Sequence, residues 1–221
     1  MFQSLILNKL TEGGITYTVH LHAYELDYVN AKRSRETNVK VEDPKDWKLF
    51  QPDHSLVERQ DDFDANFNFN EFLQGKKNAH TYSDENTKNL IRQLMSLKKC
   101  YSLVWSSYDF YLLSRLDLLY RDNKGLMESI HDVASNSSQD ILYTPSWNTS
   151  KALNDRIAIC NKNVASIYCN RIDNLNQVMK KRVSIHSETI LMDVANLHNL
   201  TNKTFPFYAA RMRADGRLEA N

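Results

Sequence analysis

Apolar and polar residues alternate in one segment near the N-terminus, between residues 15 and 29. The alternating positions are Ile15, Tyr17, Val19, Leu21 and Ala23 against Thr16, Thr18, His20, His22 and Tyr24. A period of two with β-branched and aromatic residues predicts a β-strand. Gly13 and Gly14 come directly before it and indicate a turn, so we expect residues 2–10 to form a partner strand in a hairpin.

The spacing of apolar residues changes to three and four after residue 83, which predicts helices. The first such series comprises Leu90, Ile91, Leu94, Leu97, Tyr101, Val104, Tyr108, Tyr111, Leu112, Leu116 and Leu119. It predicts a well-buried helix over about 84–121, with Ser83 as its N-cap. We expect a shorter helix over 124–135 and a Ser- and Asn-rich connector over 135–150 to follow.

The segment from about 150 to 200 contains neither Gly nor Pro, and its apolar residues recur in steps of 4, 4 and 3. This repeat fits one nearly straight helix, about 75 Å long at about 1.5 Å per residue. A helix of that length exposes an apolar stripe, which we expect to form an interface. The predicted interface residues are Ile157, Val164, Tyr168, Ile172, Leu175, Met179, Val183, Ile190, Val194 and Leu197. Two helices with a break near 180–187 are the alternative.

These patterns together predict a mainly α fold with a small N-terminal β element, an α+β chain. Its long C-terminal helix would pack against the helix over 84–121, in the manner of a coiled coil. We expect an N-terminal hairpin and irregular segment over 1–82, a helical domain over 83–203 and a C-terminal tail over 204–221. Five glycines and four prolines in 221 residues also favour helices over a turn-rich β fold.

Charge and cysteine content exclude several classes of protein. The 28 basic and 27 acidic side chains give a net charge of +1, so nucleic-acid binding is not indicated. Three cysteines without a C-x-x-C pair do not make a disulfide framework or a thiolate zinc site. The sequence shows no signal peptide and no apolar run long enough to span a membrane. We therefore expect a cytoplasmic, or otherwise intracellular or virion-associated, location.

Two histidines in the predicted strand are candidate metal ligands, because residues two apart in a strand point to the same face. Gly14, His20 and His22 fit the pattern G-x5-H-x-H. This resembles the first metal motif of the cupin family, which implies a divalent metal inside a small β-barrel. The second cupin motif is missing from the remaining sequence. A different metal site stays open as the basis of a metal-dependent hydrolase, with His54, His80 or Asp27 joining His20 and His22. The alternative is that both histidines are ordinary, half-exposed residues of a strand.

Arg182 and His186 lie four residues apart in the predicted long helix. An Arg and a His on one helix resemble the catalytic pair of the HEPN family of helical ribonucleases, which implies metal-free RNA cleavage by these two residues. Only three residues lie between them here, fewer than the four to six of that family. A structural histidine in the helix is the alternative for His186.

Residues 176–185 read NQVMKKRVSI. They resemble the end of the long stalk helix in CorA-type magnesium transporters, which implies a similar cytosolic fold. No membrane span and no Gly-Met-Asn filter motif accompany them, so transport is not implied here.

We predict a non-enzymatic structural, assembly or protein-interaction component that associates through its amphipathic helices. Its partner would be a second copy of the chain or a larger protein assembly, and the composition is also typical of viral structural proteins. The alternatives are a HEPN-like ribonuclease or a metal-dependent hydrolase. No cofactor is expected, although a divalent metal stays open.

Overall fold

A computed structural model describes residues 2–31, 35–73, 84–147, 152–180 and 186–219. Within them, 42% of the residues are helical and 25% are in strands, which form four small sheets. The chain therefore has a mixed α/β fold, and the prediction of a mainly α fold is wrong.

The helices are short to medium in length. They are α1 (Asn8–Glu12), α2 (Gln60–Asn66), α3 (Asn70–Leu73), α4 (Asp84–Ser102), α5 (Leu126–Ser135), α6 (Lys162–Cys169), α7 (Leu175–Met179) and α8 (Ser187–Leu197). A π-helical turn (Gln3–Leu7) leads into α1, and 3-10 turns form at Asp46–Phe50 and Arg171–Asn174. No helix in the described ranges combines the length and apolar character needed to cross a membrane.

The strands are distributed along the whole chain. They are β1 (His20–Glu25), β2 (Tyr28–Ala31), β3 (Glu36–Lys40), β4 (His54–Arg59), β5 (Tyr111–Ser114), β6 (Leu118–Tyr120), β7 (Ile141–Pro145), β8 (Ile157–Cys160), β9 (Thr201–Phe205), β10 (Ala209–Met212) and β11 (Leu218–Glu219). β1 pairs in parallel with β4, and β2 pairs with β3 in a hairpin.

The largest sheet has the strand order β5-β8-β7-β9. β5 and β7 run antiparallel to β8, so the C-terminal ends of both strands lie at the edge where β8 begins. β9 runs parallel to β7, and β10 pairs with β6 and β11 in a second sheet. The residues that flank β5, β7 and β8 are consequently brought to one edge of the largest sheet.

The predicted helix over 84–121 is correct only for its first half. α4 ends at Ser102, and the chain then forms β5 and β6. Tyr111 and Leu112 belong to β5, where they face Cys160 and Ile159 of β8. Apolar residues keep a three- and four-residue spacing in this segment by chance, although its aromatic and aliphatic residues also suit a short strand.

The single long helix over 150–200 is not present. Its predicted path is divided among β8, α6, a 3-10 turn, α7 and α8. The run Ile157–Cys160 is buried on both faces, and a fully buried strand has no period that separates it from a helix. Coiled-coil packing of two long helices is therefore also wrong.

Most of the predicted interface residues lie in the core of the chain itself. Ile157, Val164, Tyr168, Ile172, Leu175, Ile190 and Val194 are buried. Leu197 is 39% exposed, the side chain of Met179 is not described, and Val183 lies outside the described residues. The apolar stripe that favoured a partner is thus largely covered by the chain's own sheets and helices.

The N-terminal segment folds as a helix, not as the hairpin strand predicted for residues 2–10. Ile6 and Leu10 are buried there, in the same core cluster as Ile130 of α5 and Phe207 near the C-terminus. The division into segments 1–82, 83–203 and 204–221 stays a prediction, with residues from each segment sharing this core.

Candidate functional site: a buried charge cluster

Three of the residues predicted to bind a metal each contact different partners, and His80 lies outside the described residues. His20 Nε2 lies 3.2 Å from the Tyr108 hydroxyl, and His22 lies between Ser96 and Glu58. Asp27 accepts a hydrogen bond from Arg59 at 3.0 Å. Within the described residues, no three His, Cys, Asp or Glu side chains are grouped as metal ligands.

His22 is nevertheless the centre of a hydrogen-bonded chain. Its Nδ1 lies 2.8 Å from Ser96 Oγ, and its Nε2 lies 2.9 Å from Glu58 Oε1. Burial lowers the pKa of His22, although the hydrogen bond to Glu58 opposes that shift. Lys99 also donates to Glu58 and neutralises it. Because the His22 side chain is fully buried, this serine–histidine–glutamate chain fastens α4 to the β1–β4 pair.

The residues predicted for RNA cleavage are only partly described. Arg182 lies outside the described residues. His186 is the N-cap residue of α8, its side chain is 40% exposed, and its Nδ1 lies 2.5 Å from Glu188 Oε2. The Arg–His pair therefore stays a prediction, and His186 is placed beside a different set of charged groups.

Seven charged side chains converge near the edge where β5 ends and β8 begins. We call them the charge cluster: Arg115, Asp117, Asp155, Arg156, Arg171, Glu188 and Arg211. The antiparallel pairing of β5 with β8 places Arg115 beside Arg156, and the Arg115 amide donates to the Arg156 carbonyl at 3.2 Å.

Asp117 joins two arginines of the cluster. Arg115 donates two hydrogen bonds to its carboxylate, and Arg211 Nε donates a third to Oδ2 at 3.0 Å. Burial alone would raise the pKa of Asp117, but the Arg115 guanidinium outweighs it and lowers that pKa far below its usual range. Burial and the positive charge of Arg115 lower the pKa of Arg211.

Asp155 is held from two other elements. Gln93 of α4 donates to Asp155 Oδ2 at 3.0 Å and accepts from Arg115 Nη1 at 3.2 Å. Arg171 Nη2 lies 4.0 Å from the same carboxylate oxygen, and both side chains are only 1% exposed. Gln93 thus connects the Asp117 and Asp155 parts of the cluster through one amide.

Arg156 and Glu188 form the third part of the cluster. Arg156 Nη1 lies 3.5 Å from Glu188 Oε1, and the Arg156 guanidinium lies over the Trp147 ring at 4.9 Å. Burial alone would raise the pKa of Glu188, but its hydrogen bond to His186 outweighs burial and lowers that pKa to about 2. The half-exposed imidazole of His186 is consequently the solvent-facing member of this part.

The cluster contains more positive than negative groups. Its four guanidinium groups, on Arg115, Arg156, Arg171 and Arg211, face three carboxylates. Each carboxylate already lies beside a guanidinium, which leaves little capacity for a cation. An arrangement with excess guanidinium groups is suited to binding an anion.

Comparison of the chain with protein-family models, curated proteins and solved structures finds no match in any of the three.

The sequence patterns did not identify the charge cluster. A usable signal was the position of Arg115 directly after the run YLLS (residues 111–114) and of Asp155 and Arg156 directly before the apolar run IAIC (residues 157–160). Charged residues that border buried strands gather at a sheet edge, where ligand sites are common.

Proposed function

We propose that the charge cluster binds a phosphate-bearing substrate, and that the chain transfers a group from this substrate to a hydroxyl acceptor. The observation that carries the proposal is the excess of guanidinium groups over carboxylates in a partly buried setting. Guanidinium forks match the geometry of phosphate oxygens, and weak hydration makes arginine suited to buried anion sites.

His186 supplies the proton chemistry in this proposal. A general base needs a histidine with an exposed nitrogen and a partner that orients the ring. The contact of His186 Nδ1 with Glu188 supplies the orienting partner, and 40% of the His186 side chain is exposed. Nε2 takes the proton of the acceptor hydroxyl, whose oxygen attacks the transferred group. The bond to the leaving phosphate breaks, and the phosphate keeps the electron pair.

Arg115 and Arg156 stabilise the charge that develops on the leaving phosphate. Fixed cations at that position act most strongly where water is excluded, because the local dielectric is low. The Arg156 side chain is 7% exposed and the Arg115 side chain is 20% exposed. Trp147 packs against Arg156 and keeps its guanidinium in place.

A donor panel tests this function. The protein is incubated with organic phosphates and diphosphates, with and without a polyol acceptor, and released phosphate or diphosphate is measured. We expect His186→Gln to lower turnover by roughly 10²–10⁴-fold, the usual contribution of a general base. His198→Gln, which changes an exposed histidine at the other end of α8, is the matched control and should leave turnover unchanged.

Two results would argue against the proposal: no consumption of any phosphate donor, or equal turnover by the wild type and His186→Gln. The earlier predictions of an assembly component, a ribonuclease or a metal-dependent hydrolase stay predictions.

A further inference from the structure

A cavity of about 650 Å³ lies between the N-terminal helical segment and the core. Its wall is formed by the N-terminal helix, residues 14–21, the end of α4 with the loop that follows, and β5. The size is within the range of about 300–1,000 Å³ that is typical of small-molecule sites.

The wall is rich in large apolar and aromatic side chains. Tyr17, Tyr101, Tyr108, Phe110 and Tyr111 contribute aromatic rings. Ile6 and Leu10 of the N-terminal helix add aliphatic surface and belong to the buried core. Concave surface of this size that is lined by apolar and aromatic side chains is typical of small-molecule sites.

The charged residues of the wall differ in their position. Asp109 is exposed at the surface, whereas the Arg115 side chain is only 20% exposed and belongs to the charge cluster. His20 also lines the cavity, and its Nδ1 is buried with no hydrogen-bond partner among the described residues. The protected part of the wall is therefore mainly apolar and aromatic, with hydroxyl and imidazole groups among its polar atoms, and Arg115 is its positive group although that guanidinium also binds Asp117.

We propose that this cavity binds a small molecule with an apolar body and one acidic group, the acid pairing with Arg115. The aromatic and aliphatic wall covers the apolar body. A fatty acid and an aromatic carboxylic acid share this chemistry and differ only in the shape of the body. The proposal shares Arg115 with the charge cluster but does not require the group transfer proposed there.

Calorimetric titration of the full chain tests the site with dodecanoate below its micelle concentration and with 2-naphthoate. We expect saturable binding of one molecule per chain for at least one of the two. Which of them binds more tightly shows whether the cavity prefers an aliphatic chain or an aromatic ring system. Dodecylammonium has the same chain with the opposite charge, and we expect it to bind at least about tenfold more weakly than dodecanoate if the chain-shaped ligand is bound.

Variants of Val104, which lines the cavity, test the location. Val104→Trp places an indole in the space and should weaken binding at least about tenfold, whereas Val104→Ala enlarges the space and should keep binding. Thr18→Tyr fills the same cavity from residues 14–21, and it replaces Val104→Trp if circular dichroism shows that the latter is unfolded.

Absence of saturable binding by both acids overturns the proposal. So does equal binding of dodecanoate and dodecylammonium, or unchanged affinity in the folded cavity-filling variant. Turnover of phosphate donors is measured separately, so a failure here is distinguishable from a failure of the proposed reaction.

Discussion

Arg115 binds both carboxylate oxygens of Asp117: Nε lies 2.8 Å from Oδ1, and Nη2 lies 2.6 Å from Oδ2. The two residues flank Leu116 in the turn between β5 and β6, so the pair closes the connection between two different sheets. Arg211 of β10 contacts the same carboxylate, which places one acidic group between two arginines. The pair is thus both a link between sheets and the centre of the charge cluster.

Asp117→Asn should destabilise the fold. The substitution removes the negative charge that faces Arg115 and Arg211. Weakening the hydrogen bonds of these charged groups should lower the free energy of unfolding by at least about 2 kcal/mol. Urea denaturation at pH 7 measures the free energy of unfolding. Asp215→Asn is the control, because its partner Arg217 is a surface residue, and it should change little. Equal stability of Asp117→Asn and the wild type would contradict the structural role of the pair.

Glu188 should contribute to stability in a defined acid range. Its folded pKa of about 2 lies below the ordinary glutamate value of about 4.3, so the unfolded chain binds the proton more readily. The stabilisation is present above pH 4.3 and is lost as the pH falls towards 2. Unfolding free energies measured between pH 5 and pH 2.5 should show a smaller decrease in Glu188→Gln than in the wild type. Parallel curves for the two proteins would be inconsistent with the His186–Glu188 contact.

Protonation of His22 should lower the free energy of unfolding as the pH falls from 7 to 5. Burial lowers its folded pKa, so the unfolded chain, with a histidine pKa of about 6.5, takes up the proton first. Stability is present above about pH 6.5 and declines as the pH falls. The unfolding free energy of His22→Gln should be lower at pH 7.5 and should change less with pH. His198→Gln, at an exposed position, should retain the pH dependence of the wild type. A variant at His22 with an unaltered slope would disprove this assignment.

The three cysteines should be unreactive in the native protein. Burial raises the pKa of Cys100 to about 11 and raises those of Cys160 and Cys169 further. Only the thiolate is the reactive form, so very little of it is present at pH 8. Labelling with a thiol reagent such as DTNB should be slow in the native state and should reach three thiols per chain in guanidinium chloride. Rapid native labelling would show that a thiol is accessible.

The sequence predicted local features better than their arrangement. The alternation around His20 and His22 correctly indicated a strand, and the spacing from Leu90 to Tyr101 correctly indicated a helix. Ile157–Cys160 was assigned to a helix because a fully buried strand shows no alternation. The spacing of apolar residues does not show which elements pack against each other. Tertiary packing determined the secondary structure of segments such as Ile157–Cys160.

Sequence motifs could not predict the charge cluster, because its residues are far apart along the chain. Asp117 and Arg211 are in contact although 94 residues separate them in sequence. Asp155 meets Gln93 from a helix 62 residues earlier. Neither pair has a characteristic local spacing, because the pairing of β5 with β8 and of β6 with β10 brings the residues together.

Calorimetric titration with pyrophosphate tests the central claim, that the charge cluster is an anion site. The wild type should bind one pyrophosphate per chain, and Arg156→Gln should bind it at least about tenfold more weakly. Arg59→Gln removes an equal charge at a surface pair with Asp27 and should keep the wild-type affinity. Absence of pyrophosphate binding by the wild type, or equal weakening by the two substitutions, would contradict the account.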